Sequence, residues 1–221
     1  MATTSKSPAR VVREALIIAR RTLPASAHRF SPKKFTQHQL FACLVLKEFL
    51  RTDYRGGEVL LRENVPLRDE FGLHAAPDYS TLQNASRRLL SGGRAQWLSD
   101  ETLQRARRQR RLKRVRFAAV DCSGFESHRA SHYFVRRRTR EGKTTEKWHT
   151  MTYRRFPELA LICDCRSHLI LAATTRRGPS PDFDCWEGGV RSARRRVALK
   201  KLLADAGFRR RMDSPNGATC L

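Results

Sequence analysis

Two aspartates, Asp121 and Asp205, are the residues of this sequence whose type and setting could do chemistry. Asp121 follows the apolar run 117–120, and Asp205 follows a second largely apolar stretch, 197–204. Carboxylates at the ends of two adjacent strands can hold a pair of divalent ions, one at the attacking oxygen and one at the leaving oxygen of a phosphoryl transfer. Mg²⁺ suits such a site, with Mn²⁺ as the alternative, because hard cations prefer oxygen ligands.

The segments around these aspartates predict a sheet that would position them. The run 117–120 is uniformly apolar, which is typical of a central strand buried on both faces, and Asp121 would then stand at its C-terminal end. In α/β sheets, ligands collect at that edge. Residues 156–165 and 168–174 predict an antiparallel hairpin with a turn at 164–167. A helix from 184 to about 196 leads to the strand that ends before Asp205.

Strand, hairpin, helix and strand is the order of elements in a ribonuclease-H-like sheet. The N-terminal half reads as helical instead, and the segment 34–51 has apolar residues on more than one stripe, as a central bundle helix does. The expected fold class is therefore α+β or α/β: a helical N-terminal bundle, followed by an incomplete ribonuclease-H-like mixed sheet with flanking helices. We place the domains at 1–92 and 116–221, joined by a basic helix or linker at 93–115, because Ser91-Gly92-Gly93 interrupts the helical pattern.

Residues 54–90 predict three helices, at about 57–64, at 66–71 and from Ser80 onward. In the last of these, Leu82, Ala85 and Leu89 can face inward. Its polar positions carry the side-chain types that a recognition helix uses on base edges and phosphates. They are Ser80, Thr81, Gln83, Asn84, Arg87 and Arg88. A solvated helix face is the alternative interpretation, and Arg87 and Arg88 are the candidate DNA contacts.

The charge of the chain indicates a polyanionic partner. Lys and Arg total 45 against 21 Asp and Glu, a net charge of +24, and Arg forms a planar fork that suits phosphate. Eight of the twelve residues 105–116 are basic. Residues 128–138 place aromatic rings among arginines, so that bases could stack while phosphates are held. The candidate DNA-binding residues there are Tyr133, Arg136, Arg137 and Arg138.

The six cysteines and the hydropathy indicate a cytoplasmic protein. A chain with its own core does not need disulfides, so we expect reduced thiols. Cys163, Cys165 and His168 lack the spacing of a structural zinc site. No apolar run approaches the length that a membrane span needs, and no secretory signal is recognisable. We therefore expect no membrane partner.

From about residue 78 to 208 the sequence resembles the DDE transposases of bacterial insertion sequences. The resemblance rests on Asp121 with Ser123-Gly124, on Ser131-x-Tyr133-x-x-Arg136-Arg137, and on Asp205-x-Gly207-Phe208, which is similar to the family's D-x-G-[YF] signature. It implies that Asp121 and Asp205 are the first and second catalytic acids and hold two Mg²⁺ ions. It also implies double-stranded DNA as partner, both terminal inverted repeats and target, a homodimer on DNA, and a bacterial, nucleoid-associated location.

The sequence departs from the family pattern after Asp205. The family's third acid is a Glu in the pattern Y-x2-R-x3-E-x6-K, whereas Asp213 is the only acid in residues 206–221. We therefore expect this chain to lack the third ligand, as a truncated or frameshifted transposase would. The alternative is a non-catalytic DNA-binding protein derived from a transposase, such as a repressor of transposition. A basic RNA-associated protein and an acid–base enzyme using His128 or His132 also remain open.

Overall fold

The computed structural model describes residues 6–30, 33–124, 157–177, 184 and 186–205. The chain divides into two compact units, Met1–Arg111 and Leu112–Leu221. Within the described residues, seven helices and a four-stranded mixed sheet make an α+β protein. In that part of the chain no helix combines the length and the apolar character that crossing a membrane requires.

Six helices make up the described part of the first unit. They are α1 (Pro8–Thr22), α2 (Gln37–Phe49), α3 (Tyr54–Glu63), α4 (Val65–Glu70), α5 (Tyr79–Leu89) and α6 (Arg94–Arg108). Helix α3 begins three residues earlier than expected because Asp53 caps it, accepting a hydrogen bond from the Gly56 amide at 2.6 Å. Helix α6 lies in the first unit rather than in a separate linker, and it packs against α1.

Helix α2 is central to the first unit, as its broad apolar surface predicts. Its buried residues surround the helix and include Leu40, Cys43, Leu44 and Leu46. A capping box fixes its start, since Thr36 and Gln39 exchange side-chain and backbone hydrogen bonds. Helix α1 packs along α2 through Val12, Ala15, Leu16 and Ala19.

The second unit is built on a mixed sheet with one described helix. Its elements are β1 (Val115–Gly124), β2 (Pro157–Asp164), β3 (Ile170–Arg177), α7 (Trp186–Arg196) and β4 (Leu199–Leu203), in the spatial order β3-β2-β1-β4. Strand β2 is antiparallel to β1 and to β3, which confirms the predicted hairpin. Strand β4 is parallel to β1 and therefore also to β3. Parallel strands need a crossover connection, and the connection from β3 to β4 contains α7.

The expectation that β1 is buried on both faces is wrong. Ala118 and Val120 are buried, but Ala119 is exposed and Phe117 keeps 42% of its surface in solvent. Helix α7 packs on the face that carries Val120 and Ile162, where a Cβ on Gly189 would lie 3.3 Å from Ile162 Cδ1. Within the described residues of this unit, no helix covers the opposite face. The uninterrupted apolar run 117–120 is therefore part of a strand that has one solvent-facing side.

The expected position of Asp121 at the end of its strand is also wrong. Strand β1 continues for three residues beyond it, because β2 pairs with β1 as far as Gly124, which stands opposite Glu158. Ser123 and Gly124 therefore belong to the strand rather than to a turn. Asp121 lies within the ladder, opposite Leu161.

Candidate functional site

The parallel pairing of β1 and β4 has a register that leads toward Asp121 and Asp205. Each β4 residue lies 84 positions after its β1 partner, as in the pairs Phe117–Lys201 and Ala119–Leu203. Asp205 is likewise 84 positions after Asp121, since 205 minus 121 is 84. Asp205 follows the last residue of β4 by two positions, so the register carried forward sets it beside Asp121. The two carboxylates that the sequence singles out therefore fall at corresponding positions, two residues past the last pair of the ladder, Ala119–Leu203.

Both aspartates are exposed, and Asp121 lies on the exposed face of the sheet. Side chains alternate between the faces of a strand, so Asp121 shares a face with Ala119 and Phe117, opposite to the face of Val120 that α7 covers. On β4, Lys201 lies on the same face, because its Nζ atom stands 5.9 Å from the centre of the Phe117 ring. Asp205 follows Lys201 by four residues, an even number, as side chains on one face of a strand do. Its side chain is exposed, as that of Asp121 is.

Two other acidic residues of the sheet, Glu158 and Asp164, accept hydrogen bonds away from the face of Asp121. Glu158 is buried on the α7 side, where its Oε2 accepts a hydrogen bond from Arg176 Nε at 2.6 Å. Asp164 is buried at the end of β2, and its Oδ2 accepts hydrogen bonds from the amide and the hydroxyl of Ser167 in the β2–β3 turn. These carboxylates stabilise the sheet and the hairpin, and neither shares the face of Asp121.

The donor set at the exposed face suits a hard cation with water or phosphate completing its coordination. Mg²⁺ is commonly held by one or two carboxylates together with substrate phosphates. Asp121 and Asp205 provide two such carboxylates, and Asp121 Oδ1 also accepts a hydrogen bond from the Cys122 amide at 2.8 Å. No cluster of three or more His, Cys, Asp or Glu side chains fit to hold a metal occurs in the described ranges, and this includes the region of Cys163, Cys165 and His168.

Helix α5 presents a polar stripe to solvent, as the sequence predicts. Leu82, Ala85 and Leu89 are buried, and the helix packs against α2 and α3. The side chains that form the exposed stripe are Ser80, Gln83, Asn84 and Arg87. This set, which we call the α5 stripe, occupies positions i, i+3, i+4 and i+7, which lie on one side of a helix.

Arg88 has a different setting from Arg87, its neighbour in the prediction. Its side chain is partly buried at the edge of the stripe, and its Nε atom is buried without a hydrogen-bond partner among the described residues. The Arg88 carbonyl accepts hydrogen bonds from Arg94 Nη1 at 2.7 Å and from Ser91 Oγ at 3.0 Å. Arg88 therefore contributes to the connection between α5 and α6, and Arg87 is the freer of the two to contact a ligand.

The sequence did not reveal how α5 is held at its N-terminus. Glu58 of α3 accepts a hydrogen bond from the Tyr79 amide at 2.8 Å and also pairs with Arg62. The guanidinium of Arg55 lies 5.0 Å from the centre of the Tyr79 ring. Asp78, the residue at the N-cap of α5, makes no side-chain capping bond. A carboxylate 21 residues earlier in the chain takes that role, and no local pattern could have indicated it.

Several predicted residues lie outside the described part of the chain. They are Tyr133, Arg136, Arg137 and Arg138, together with His128, His132, Gly207, Phe208 and Asp213. No protein-family model matches the chain, and neither a curated protein nor a solved structure is found to be similar to it.

Proposed function

We propose that this chain is a DNA transposase of the DDE type whose second unit is an incomplete ribonuclease-H-like core: it nicks DNA with two of the family's three acids, and strand joining needs the third acid, which this chain lacks. The observation that carries the proposal is the parallel β1–β4 register, in which Asp121 and Asp205 each follow the last pair, Ala119–Leu203, by two residues. The strand order β3-β2-β1-β4, with a helix crossing over to β4, supports it because the family resemblance implies acids on two adjacent strands.

In this proposal Asp121 and Asp205 hold divalent cations, Mg²⁺ or Mn²⁺. Such ions supply the activation of the attacking oxygen and the stabilisation of the leaving oxygen when they are bound. The β1–β4 ladder ends at the pair Ala119–Leu203, and each aspartate follows its member of that pair by two residues. Lys201, exposed on the same face, is placed to attract a DNA phosphate toward the pair.

The charge of the chain supports a DNA substrate. A net charge of +24 favours binding to a phosphate backbone with the release of counterions, so affinity falls steeply as salt rises. Lysines and arginines on the surface would supply the non-specific part of this binding. Such binding is common to every DNA-associated function, so it does not by itself identify a transposase.

The proposal is tested by incubating the full chain with supercoiled plasmid DNA at low salt and Mg²⁺ or Mn²⁺. We expect nicked circles to accumulate with the wild type and to be lost with Asp121→Asn and with Asp205→Asn. The matched control is Glu187→Gln, which removes an exposed acid at the start of α7 in the same unit. Nicking that persists in both Asn variants would contradict the assignment of the two aspartates.

A DNA-binding protein without catalysis is the second candidate. The α5 stripe favours it, because a polar helix face can recognise DNA without any contribution from the sheet. A chain that binds duplex DNA with equal affinity before and after Asp121→Asn, and that nicks DNA in neither form, would have this function. Such a protein could act as a repressor of an intact transposase by occupying the same DNA.

A further inference from the structure

We propose that Cys163 and Cys165 form a two-coordinate site for a soft monovalent metal ion, Cu(I) or Ag(I), on the exposed face of the sheet in the second unit. The site uses two sulfur ligands, whereas the proposed nicking reaction uses the carboxylates of Asp121 and Asp205. The inference therefore goes beyond the proposed function, and it holds whether or not the chain cleaves DNA.

The two cysteines lie on one face of the sheet. Cys163 of β2 stands opposite Ala119 of β1. Cys165 follows the last residue of β2, and its amide donates a hydrogen bond to the Phe117 carbonyl at 3.1 Å, which continues the pairing of β2 with β1. Ala119 and Phe117 belong to the exposed face, and residues that stand opposite each other in a ladder share a face. Both thiols are therefore on that face.

The two thiols are close to each other and available to a ligand. Both cysteines are free of disulfides, and Cys165 is exposed while Cys163 is half-buried. Burial raises the pKa of the Cys163 thiol, and the charge of a Cys165 thiolate raises it further. The two sulfur groups are thus near enough for the charge of one to act on the other.

The spacing of the pair suits a metal bridge better than a disulfide. Residues i and i+2 of a strand have Cα atoms about 6.6 Å apart. Disulfides reach a Cα separation of about 6.8 Å only at their upper limit, and they need Cβ atoms about 3.8 Å apart. Side chains on one face of a strand run side by side, which keeps their Cβ atoms further apart than that. A linear sulfur–metal–sulfur unit extends about 4.6 Å, taking about 2.3 Å for each bond as in zinc thiolates.

The number and type of ligands select the kind of metal ion. Thiolates favour soft ions such as Cu(I), and Cu(I) and Ag(I) accept two thiolates in a linear arrangement. A structural Zn²⁺ site needs four ligands. In the described part of the chain, no group of three His, Cys, Asp or Glu side chains that could hold a metal includes this pair. Mg²⁺ and Mn²⁺ prefer oxygen ligands, so they do not compete for it.

The side chains around the pair are apolar. Cys163 is flanked by Ala119 on β1 and by Ile170 on β3. Phe117, opposite Cys165, keeps 42% of its surface in solvent, and Ile170 keeps 44%. These neighbours provide no oxygen ligand for a hard cation, and Ala119 leaves room beside the Cys163 sulfur. Such surroundings favour a soft ion held by sulfur alone.

Positive charge near the pair offsets the charge of the complex. Two thiols that bind one Cu(I) release two protons, and the resulting bis-thiolate complex has a charge of −1. Arg166, directly after Cys165, is exposed. Lys201 Nζ lies 5.9 Å from the centre of the Phe117 ring, on the face that carries both cysteines. These cations stabilise the anionic complex relative to the neutral thiols.

The inference is tested by titrating the full, reduced chain with Cu(I) in the absence of oxygen, in competition with a chromogenic Cu(I) chelator. We expect Cys163→Ser and Cys165→Ser each to weaken the tightest site by about 10²- to 10⁴-fold, because one of two tethered ligands is lost. The matched control is the double variant Cys185→Ser and Cys220→Ser, which removes two other cysteines and should keep the site. Circular dichroism of each variant verifies that the fold is retained.

Two further measurements separate this site from the carboxylates. Asp121→Asn should bind Cu(I) as the wild type does, and Cys165→Ser should bind Mn²⁺ as the wild type does. Ag(I) should displace Cu(I) from the wild type, whereas Zn²⁺ at the same concentration should not. X-ray absorption at the copper edge of the loaded protein should show sulfur neighbours in a two-coordinate arrangement.

Three results would overturn the inference. Cu(I) affinity could be unchanged in both Ser variants of the pair, the control double variant could lose the tightest site, or the copper could have three or more sulfur neighbours. All three are measured without DNA and without a divalent cation. Failure here would leave the proposal for Asp121 and Asp205 intact, and failure of the nicking assay would leave this inference intact.

Discussion

Asp121 and Asp205 each follow by two residues the last pair of the parallel β1–β4 ladder, Ala119–Leu203, and the same 84 positions of sequence separate the members of that pair and the two aspartates. This relationship depends on register alone. A slip of one residue between β1 and β4 would move Asp205 to the face that α7 covers, because the side-chain period of a strand is two. The packing of Ala118 and Val120 on that covered face opposes such a slip.

The ion pair between Glu14 and Arg105 should make the first unit sensitive to acid. Arg105 donates from Nε to Glu14 Oε2 at 2.5 Å and from Nη2 to Oε1 at 3.0 Å, which links α1 to α6. These hydrogen bonds lower the pKa of Glu14 below the ordinary value of a glutamate, with burial acting in the opposite direction. The stabilisation is present above the pKa of unfolded glutamate, about 4.3, and is lost as the pH falls through the lower folded-state pKa.

Glu14→Gln should therefore lower the free energy of unfolding by about 0.5 kcal/mol at neutral pH, the size expected for a half-exposed pair. The difference from the wild type should shrink as the pH is taken below about 4. Urea unfolding followed by the helical circular dichroism signal measures this difference in the free energy of unfolding. The control is Glu63→Gln, which changes an exposed glutamate of α3. A difference that does not change with pH would contradict the role of this pair.

Two adjacent glycines of α7 should respond in opposite ways to a larger side chain. A Cβ on Gly188 would meet no atom within 4 Å, so Gly188→Ala should stabilise the second unit by about 0.5–1 kcal/mol through helix propensity. Gly189 faces the sheet at Ile162 and Thr174, so Gly189→Leu should destabilise the second unit by about 1–3 kcal/mol through overpacking. The midpoint of urea unfolding measures the stability of both variants. Equal effects would mean that α7 does not pack on the sheet through Gly189.

Cys43 and Cys165 should differ in reactivity in the folded protein. Burial in the first unit raises the pKa of the Cys43 thiol to about 12, whereas Cys165 is exposed in the second unit. Thiolates are the reactive form, so iodoacetamide at pH near 8 should modify Cys165 and leave Cys43 unmodified. Mass spectrometry of tryptic peptides measures this, and denatured protein, in which both sites react, is the control. Equal modification of the two cysteines in native protein would show that Cys43 is not enclosed by the bundle.

The sequence alone predicted those features that depend on local periodicity. In α5, the inward positions Leu82, Ala85 and Leu89 follow from helical spacing, and the structure buries all three. The β2–β3 hairpin followed from two apolar runs around a short turn. Such elements can be predicted from sequence because the residues that define each one are close together in the chain.

Features that depend on distant residues were not predictable in the same way. The apolar run 117–120 does not reveal whether one or two faces of β1 are covered, since that depends on where α7 packs. The end of β1 depends on how far β2 pairs with it, and β2 begins more than thirty residues later. The anchoring of α5 by Glu58 and the different settings of Arg87 and Arg88 likewise depend on tertiary contacts.

The central claim, that Asp121 and Asp205 act together on one divalent-ion site, is tested most directly by titrating the full chain with Mn²⁺ and measuring free Mn²⁺ by electron paramagnetic resonance. We predict a site that Asp121→Asn and Asp205→Asn each weaken by about ten-fold, roughly 1.4 kcal/mol. The double variant should lose little more than either single one, because both carboxylates serve the same ions. Glu187→Gln should bind as the wild type does. Unchanged Mn²⁺ affinity in both Asn variants, or independent and additive losses, would contradict the account.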